Sequence, residues 1–182
     1  LLGGWGCKGK APIASGPDAS VQPAPDALLS DAPPTDAESK IPEGWKVFEN
    51  EEWGITLAYP GGWYYRQLPE QETGNTNSME VVFNQEPIVS LPDSDPVYPL
   101  MLSVRVGTIA DELALARNAQ IPEQVVINGR SFTKVLYEQE LVDLTFASYM
   151  LEASGKVYVI DGLANLPEIE SVVASLAVEV RP

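Results

Sequence analysis

Chemistry in a polypeptide needs reactive side chains of the right types at the right spacing, and this sequence offers few. It contains no histidine and a single cysteine, Cys7. Neither a Ser-His nor a Cys-His nucleophile can be assembled from it. The usual zinc and iron ligand sets and any disulfide within the sequence are ruled out by the same count. Ser154-Gly155-Lys156 has the tail of a phosphate-binding loop, but the upstream glycine is missing at the required spacing and the tripeptide reads as a hairpin turn. Asp93-Ser94-Asp95 places two carboxylates in a Pro-rich loop. Calcium takes six or more oxygen ligands, so two carboxylates without the glycine and terminal glutamate of an EF-hand read as a solvated loop. Glu49, Glu51 and Glu52 form the other acidic cluster. Paired carboxylates serve glycoside hydrolysis only at a defined separation in space, which a sequence does not fix. The expectation is a chain without an enzymatic site, a metal site or a cofactor.

Charge narrows the partners. The 182 residues carry a formal net charge of −15, and residues 41–182 hold 21 Asp or Glu against 8 Lys or Arg. A phosphate backbone is bound through clustered Lys and Arg that release its counterions, so nucleic acid is not an expected partner. Anionic lipid headgroups are disfavoured for the same reason. Such acidity serves solubility, or complements a basic partner or a cation. No stretch of the sequence approaches the ~20 apolar residues that span a bilayer.

Three segments have to position whatever site exists. Residues 8–40 contain Pro12, Pro17, Pro23, Pro25, Pro33 and Pro34 among Ala, Ser and Asp, with no aromatic residue. That composition buries too little apolar surface to fold, and it predicts a disordered stalk. From residue 41 the pattern changes. Alternation and β-rich apolar runs predict strands over 45–49, 54–60, 63–67, 79–85 and 100–106. Thr108 and Asp111 have the spacing of a capping box opening a helix that runs through Ala119. Asn128-Gly129 and Ala153-Ser154-Gly155 predict hairpin turns, so that 124–127, 131–139, 144–152 and 156–161 form an antiparallel meander. Leu166-Pro167 opens a last helix with Ile169, Val172, Val173 and Leu176 on one face. Strands in hairpin order with two separated helices predict an α+β domain over 41–182, an antiparallel sheet flanked by helices.

Two resemblances add to this. Gly6-Cys7 at the end of the apolar Leu1-Leu2 segment and ahead of the stalk resembles a lipobox, in which the cysteine is acylated and becomes the first residue of an exported bacterial lipoprotein. Gly4 and Trp5 depart from the pattern, which prefers Leu and a small residue at those places, and the plain alternative is a free cysteine in a tail. Residues 1–7 are read as the signal and lipobox remnant, with Cys7 as the lipid-attachment residue. Two acyl chains would give a stable anchor.

The stretch Trp53 to Trp63, with Tyr59-Pro60-Gly61-Gly62-Trp63 at its end, resembles the aromatic-x-Tyr-Pro-x-x-Trp signature of the PsbP/Mog1-like superfamily. Asn128-Gly129 and Ser175-Leu176-Ala177-Val178 match the places of that family's hairpin turn and terminal Ser-apolar segment. The resemblance implies an α/β/α sandwich used as an accessory or docking module, and it brings no metal-binding residue with it. The leading expectation is therefore an envelope lipoprotein, outside the cytoplasm and lipid-anchored, that docks onto a membrane or envelope protein complex. Two alternatives stand beside it: a small-molecule or cation binding module, and a structural subunit that uses its amino-terminal segment. A concave, apolar-lined pocket with converging polar groups would favour the binding module over a flat docking patch.

Overall fold

The computed structural model describes residues 41–74, 77–89, 97–116, 119–139 and 143–179. The segments read as lipobox and stalk, Cys7 included, and Asp93-Ser94-Asp95 lie outside the described residues.

Among the described residues, ten strands form two antiparallel sheets. The larger contains seven: β3 (Tyr64–Leu68), β4 (Ser78–Asn84), β5 (Leu100–Val106), β6 (Glu123–Ile127), β7 (Arg130–Gln139), β8 (Leu144–Ala153) and β9 (Lys156–Leu163), in the spatial order β3-β4-β5-β9-β8-β7-β6. The smaller is β1 (Lys46–Asn50), β2 (Ile55–Tyr59) and β10 (Ala177–Val178), in the order β1-β2-β10. Strands β6 to β9 form the expected meander. Its β6–β7 and β8–β9 turns have the left-handed backbone that hairpins require, with Asn128 at φ 49° and Gly129 at 75°, and Ser154 at 52° and Gly155 at 69°.

The helical part is small. A four-residue helix α1 (Glu70–Thr73) sits in what the composition predicts as loop, followed by α2 (Ile109–Leu115) and α3 (Ile169–Ser175), seven residues each.

These layers correct the expected architecture. The described residues are mostly β, 64 in strands against 18 in helices, and the domain is not an α+β sheet flanked by helices or an α/β/α sandwich. Period-2 burial explains why. On the inner face of the large sheet, Val81 and Phe83 of β4, Leu102 and Val104 of β5, and Tyr158 and Ile160 of β9 belong to one core. That core is closed by Phe48, Ile55, Leu57 and Tyr59 of the small sheet together with Ile169, Val172 and Val173 of α3. Strands β1 and β2 thus lie over the large sheet as a second layer instead of extending it. On the outer face Val135, Met150, Val157 and Val159 form a smaller apolar cluster, against which, among the described residues, Ile109 and Leu113 of α2 and Ala119 pack. Helix α2 stops four residues before the predicted end because Ala116 is already extended (φ −70°, ψ 105°) and Ala119 bridges to Tyr137.

The Tyr59-Pro60-Gly61-Gly62-Trp63 turn is tight for a steric reason. The Trp63 amide donates to the Pro60 carbonyl at 2.9 Å, and a Cβ on Gly61 would stand 1.9 Å from the Gly44 carbonyl oxygen. Trp63 is then buried in the main core.

Candidate functional site

The outer face of the large sheet carries a polar cluster inside its apolar surroundings. Register defines it. Across the sheet, Val82 of β4, Met101 of β5, Asp161 of β9, Ser148 of β8 and Val135 of β7 lie opposite one another in one row. In the next row Glu80 faces Ser103, and Ser103 faces Val159. Arg105 follows two residues later on the same face of β5, and Tyr137 two residues beyond Val135 on β7. The meander strands β7, β8 and β9, together with β5 from farther back in the sequence, thereby bring Asp161, Ser148, Tyr137, Ser103 and Arg105 to one spot.

Helix α2 closes the cluster from above. Its capping box is complete: the Asp111 amide donates to Thr108 Oγ1 at 3.3 Å and the Thr108 amide to Asp111 Oδ2 at 2.9 Å. The Thr108 hydrogen bonds hold the Asp111 carboxyl below the usual range. The Ile109 amide donates to Glu152 Oε2 at 3.0 Å, which ties the helix start to β8. Glu112, one turn in, then accepts from Arg105 Nη1 at 2.9 Å, while Arg105 Nη2 reaches Glu80 Oε1 at 3.3 Å.

Between these groups lies a cavity of about 260 Å³, lined on its apolar side by Leu115, Ala116, Val135, Met150 and Val159 and on its polar side by Ser103, Arg105, Glu112, Tyr137, Ser148 and Asp161. A second depression of about 360 Å³ adjoins it and shares Tyr137 and Asp161. Burial pushes the Asp161 carboxyl up to about 6, against the opposing pull of the Ser148 hydrogen bond, the Arg105 charge and the Tyr137 hydrogen bond, with Glu112 adding repulsion. Tyr137 is itself raised well above the ordinary phenol range, by burial first and by Asp161 second; it stacks on Phe146 at 5.5 Å. Two buried atoms in this cluster have no hydrogen-bond partner among the described residues, Ser103 Oγ and Arg105 Nε. Buried polar atoms are nearly always satisfied, so these two mark an unfinished site.

The residues singled out from sequence lie elsewhere. Glu49 is the penultimate residue of β1, and Glu51 and Glu52 lie in the exposed β1–β2 turn; no described cavity includes them. Ser154 and Gly155 form the β8–β9 hairpin turn and Lys156 opens β9, with its Nζ 5.0 Å from the Trp53 ring centre. Cys7 and Asp93-Ser94-Asp95 lie outside the described residues. The cavity residues carry a signal that sequence reasoning passed over: Arg105 and Asp161 are charges inside the apolar strands Leu100–Val106 and Lys156–Leu163. A charge in a buried strand is paired or functional.

No family model and no curated protein matches the chain. Among solved structures it is similar to a Bacteroides thetaiotaomicron protein, at 16% identity and a TM-score of 0.41 over 75% of this chain and 49% of the other. The chain therefore spans about half the length of that protein. It is also similar to the cyanobacterial PsbP (CyanoP) of Synechocystis sp., at 14% identity and a TM-score of 0.44, over 75% of this chain and 93% of that one. Both likenesses are distant, and neither assigns the cavity a ligand.

Proposed function

We propose that the folded domain is a non-catalytic binding module that takes a small ligand in the cavity between β5, β7, β8, β9 and α2. One observation carries the reading: a concave site with apolar walls holds buried polar atoms that the protein itself leaves unpaired. Asp161 is occupied in accepting from Tyr137 and Ser148, an arrangement that fixes a carboxyl in place for recognition. The test is a mixed-fragment screen monitored through backbone amide shifts of the whole chain. Shifts should cluster on residues 101–105, 135–137, 148–150 and 159–161. A screen with no responding fragment, or with responses only elsewhere, overturns the reading.

The lipobox-like Gly6-Cys7 and the Pro-rich segment that follows support export and lipid anchorage at Cys7, so that the module works at the bacterial cell envelope. Intact mass of the native protein tests this, and an unmodified chain retaining Leu1 to Gly6 rejects it.

A second reading, docking onto an envelope or membrane protein complex, is favoured by the edge strand β3. Tyr64 and Tyr65 there are both about half exposed (48% and 49%), and exposed tyrosines are typical interface anchors. Purification from mild detergent should then recover a stoichiometric partner that Tyr64→Ser loses. Recovery of none removes that reading and leaves the cavity.

A further inference from the structure

The ligand's chemistry can be read from what the cavity leaves unspent, provided the cavity is a ligand site as proposed above. Ser103, only 1% exposed, stands on the cavity face of β5. Arg105 is the next outward residue of that strand, and Asp161 is diagonal to Ser103 on β9. The orphaned hydroxyl therefore lies between the basic and the acidic end of the floor.

The inventory of groups is short. Arg105 spends Nη1 on Glu112 and Nη2 on Glu80 and keeps its Nε–H; Ser103 keeps its O–H. Both are donors, and together they call for one acceptor oxygen. An anionic acceptor is opposed by charge, because Glu80, Glu112 and Asp161 surround a guanidinium already paired with two of them. A cation could be met by the Ser103 oxygen, but it would leave the Arg105 Nε–H without an acceptor and would face the guanidinium charge. Asp161 accepts from Ser148 and Tyr137, and an ionised carboxylate has about four lone-pair sites, so room remains for an incoming N–H. Leu115, Ala116, Val135, Met150 and Val159 supply apolar walls. The volume, about 260 Å³, lies just under the ~300 Å³ at which ordinary ligand sites begin. Among the described residues no group of three or more His, Cys, Asp or Glu could hold a metal ion.

We infer that the cavity recognises a small uncharged molecule bearing a carboxamide-like edge on a branched apolar body. Its carbonyl oxygen accepts from Ser103 and Arg105, and its adjacent N–H donates to Asp161.

Three compounds of one shape test this: isovaleramide, isovalerate and isoamylammonium, each titrated at pH 7.5 into the full chain while backbone amide shifts are followed. The amide should shift Ser103, Arg105 and Asp161 and bind at least about tenfold more tightly than either charged analogue. Ser103→Ala should weaken it about fivefold, the usual value of one hydrogen bond, with shifts elsewhere unchanged. Tighter binding of the carboxylate or the ammonium overturns the ligand class while leaving the cavity as a binding site. Equal amide affinity in Ser103→Ala overturns the role of that hydroxyl and the inference with it. No response to these three or to any fragment of a broad mixture overturns the inference and the proposed function together. The ranking of the three compounds on the unaltered protein stands whether or not the variant folds.

Discussion

A carboxyl that titrates near 6 when folded and near the ordinary ~3.9 when unfolded makes stability depend on pH in a definite direction. Between those values the folded chain binds more protons than the unfolded one, so the stability this group contributes is complete below about 4 and is lost as pH rises through about 6. Two units correspond to roughly 2–3 kcal/mol. Asp161→Asn keeps a carbonyl oxygen for Tyr137 and Ser148 and removes the charge that faces Glu112. It should raise Tm by several degrees at pH 7.5, with the difference from the parent protein closing toward pH 4. A variant less stable at pH 7.5, or an advantage independent of pH, contradicts this. The cost that Asp161 imposes at neutral pH fits a residue kept for binding rather than for folding. Its neighbour Gly162 is there for packing, since a Cβ would stand 2.5 Å from Ile169 Cδ1 in the core. Gly162→Ala should cost about 1–3 kcal/mol in denaturant unfolding, and adding Ile169→Val should return part of it. Strict additivity of the two changes would show that they do not meet. At this scale the sequence is half readable. Arg105 and Asp161 stand out as charges in apolar strands, but their partners Tyr137, Ser148 and Glu112 come from other elements, and no local pattern names them.

Local signals place most elements, and tertiary contacts decide where they stop. The span of β5 follows directly from its apolar run, and the β6–β7 and β8–β9 turns follow from residues that tolerate positive φ. Helix α2 has the predicted cap, but its end is set by the chain's return to the sheet, where Ala119 bridges Tyr137 and the Gln120 amide donates to the Leu136 carbonyl at 2.8 Å. The second sheet is invisible locally because β10 reaches β2 from more than a hundred residues away. Ser175 makes that junction: its Oγ accepts from the buried Ala58 amide at 2.9 Å and donates back to a nearby carbonyl. Ser175→Ala should therefore lower stability by about 1–3 kcal/mol by orphaning that amide, whereas a loss below a few tenths would mean that the hydroxyl is dispensable. Thr108→Ala should cost about 1 kcal/mol, the ordinary value of an N-cap. Because α2 carries Glu112 over Arg105, the same change should also disturb the amide shifts of the cavity, which a purely local cap would leave still.

Over the whole molecule the readable quantity is charge. Residues 41–182 hold 21 acidic against 8 basic side chains. A folded body of this length has a radius of gyration of roughly 14 Å, while the screening length is about 30 Å at 10 mM salt. At low salt every carboxylate therefore repels every other, and unfolding relieves it. At 0.5 M the screening length falls to a few ångströms, so only direct pairs persist, among them Arg105 with Glu80 and Glu112. Thermal unfolding in 10 mM and in 0.5 M sodium chloride should show Tm rising by a few degrees. Chloride salts are the right choice, because sulfate stabilises by exclusion from the protein surface whatever its charge. Potassium and choline chloride should act as sodium chloride does, since screening depends on ionic strength alone. A rise confined to one cation would point to a specific ion site, and a Tm that falls with salt would mean that attractive pairs outweigh the net charge.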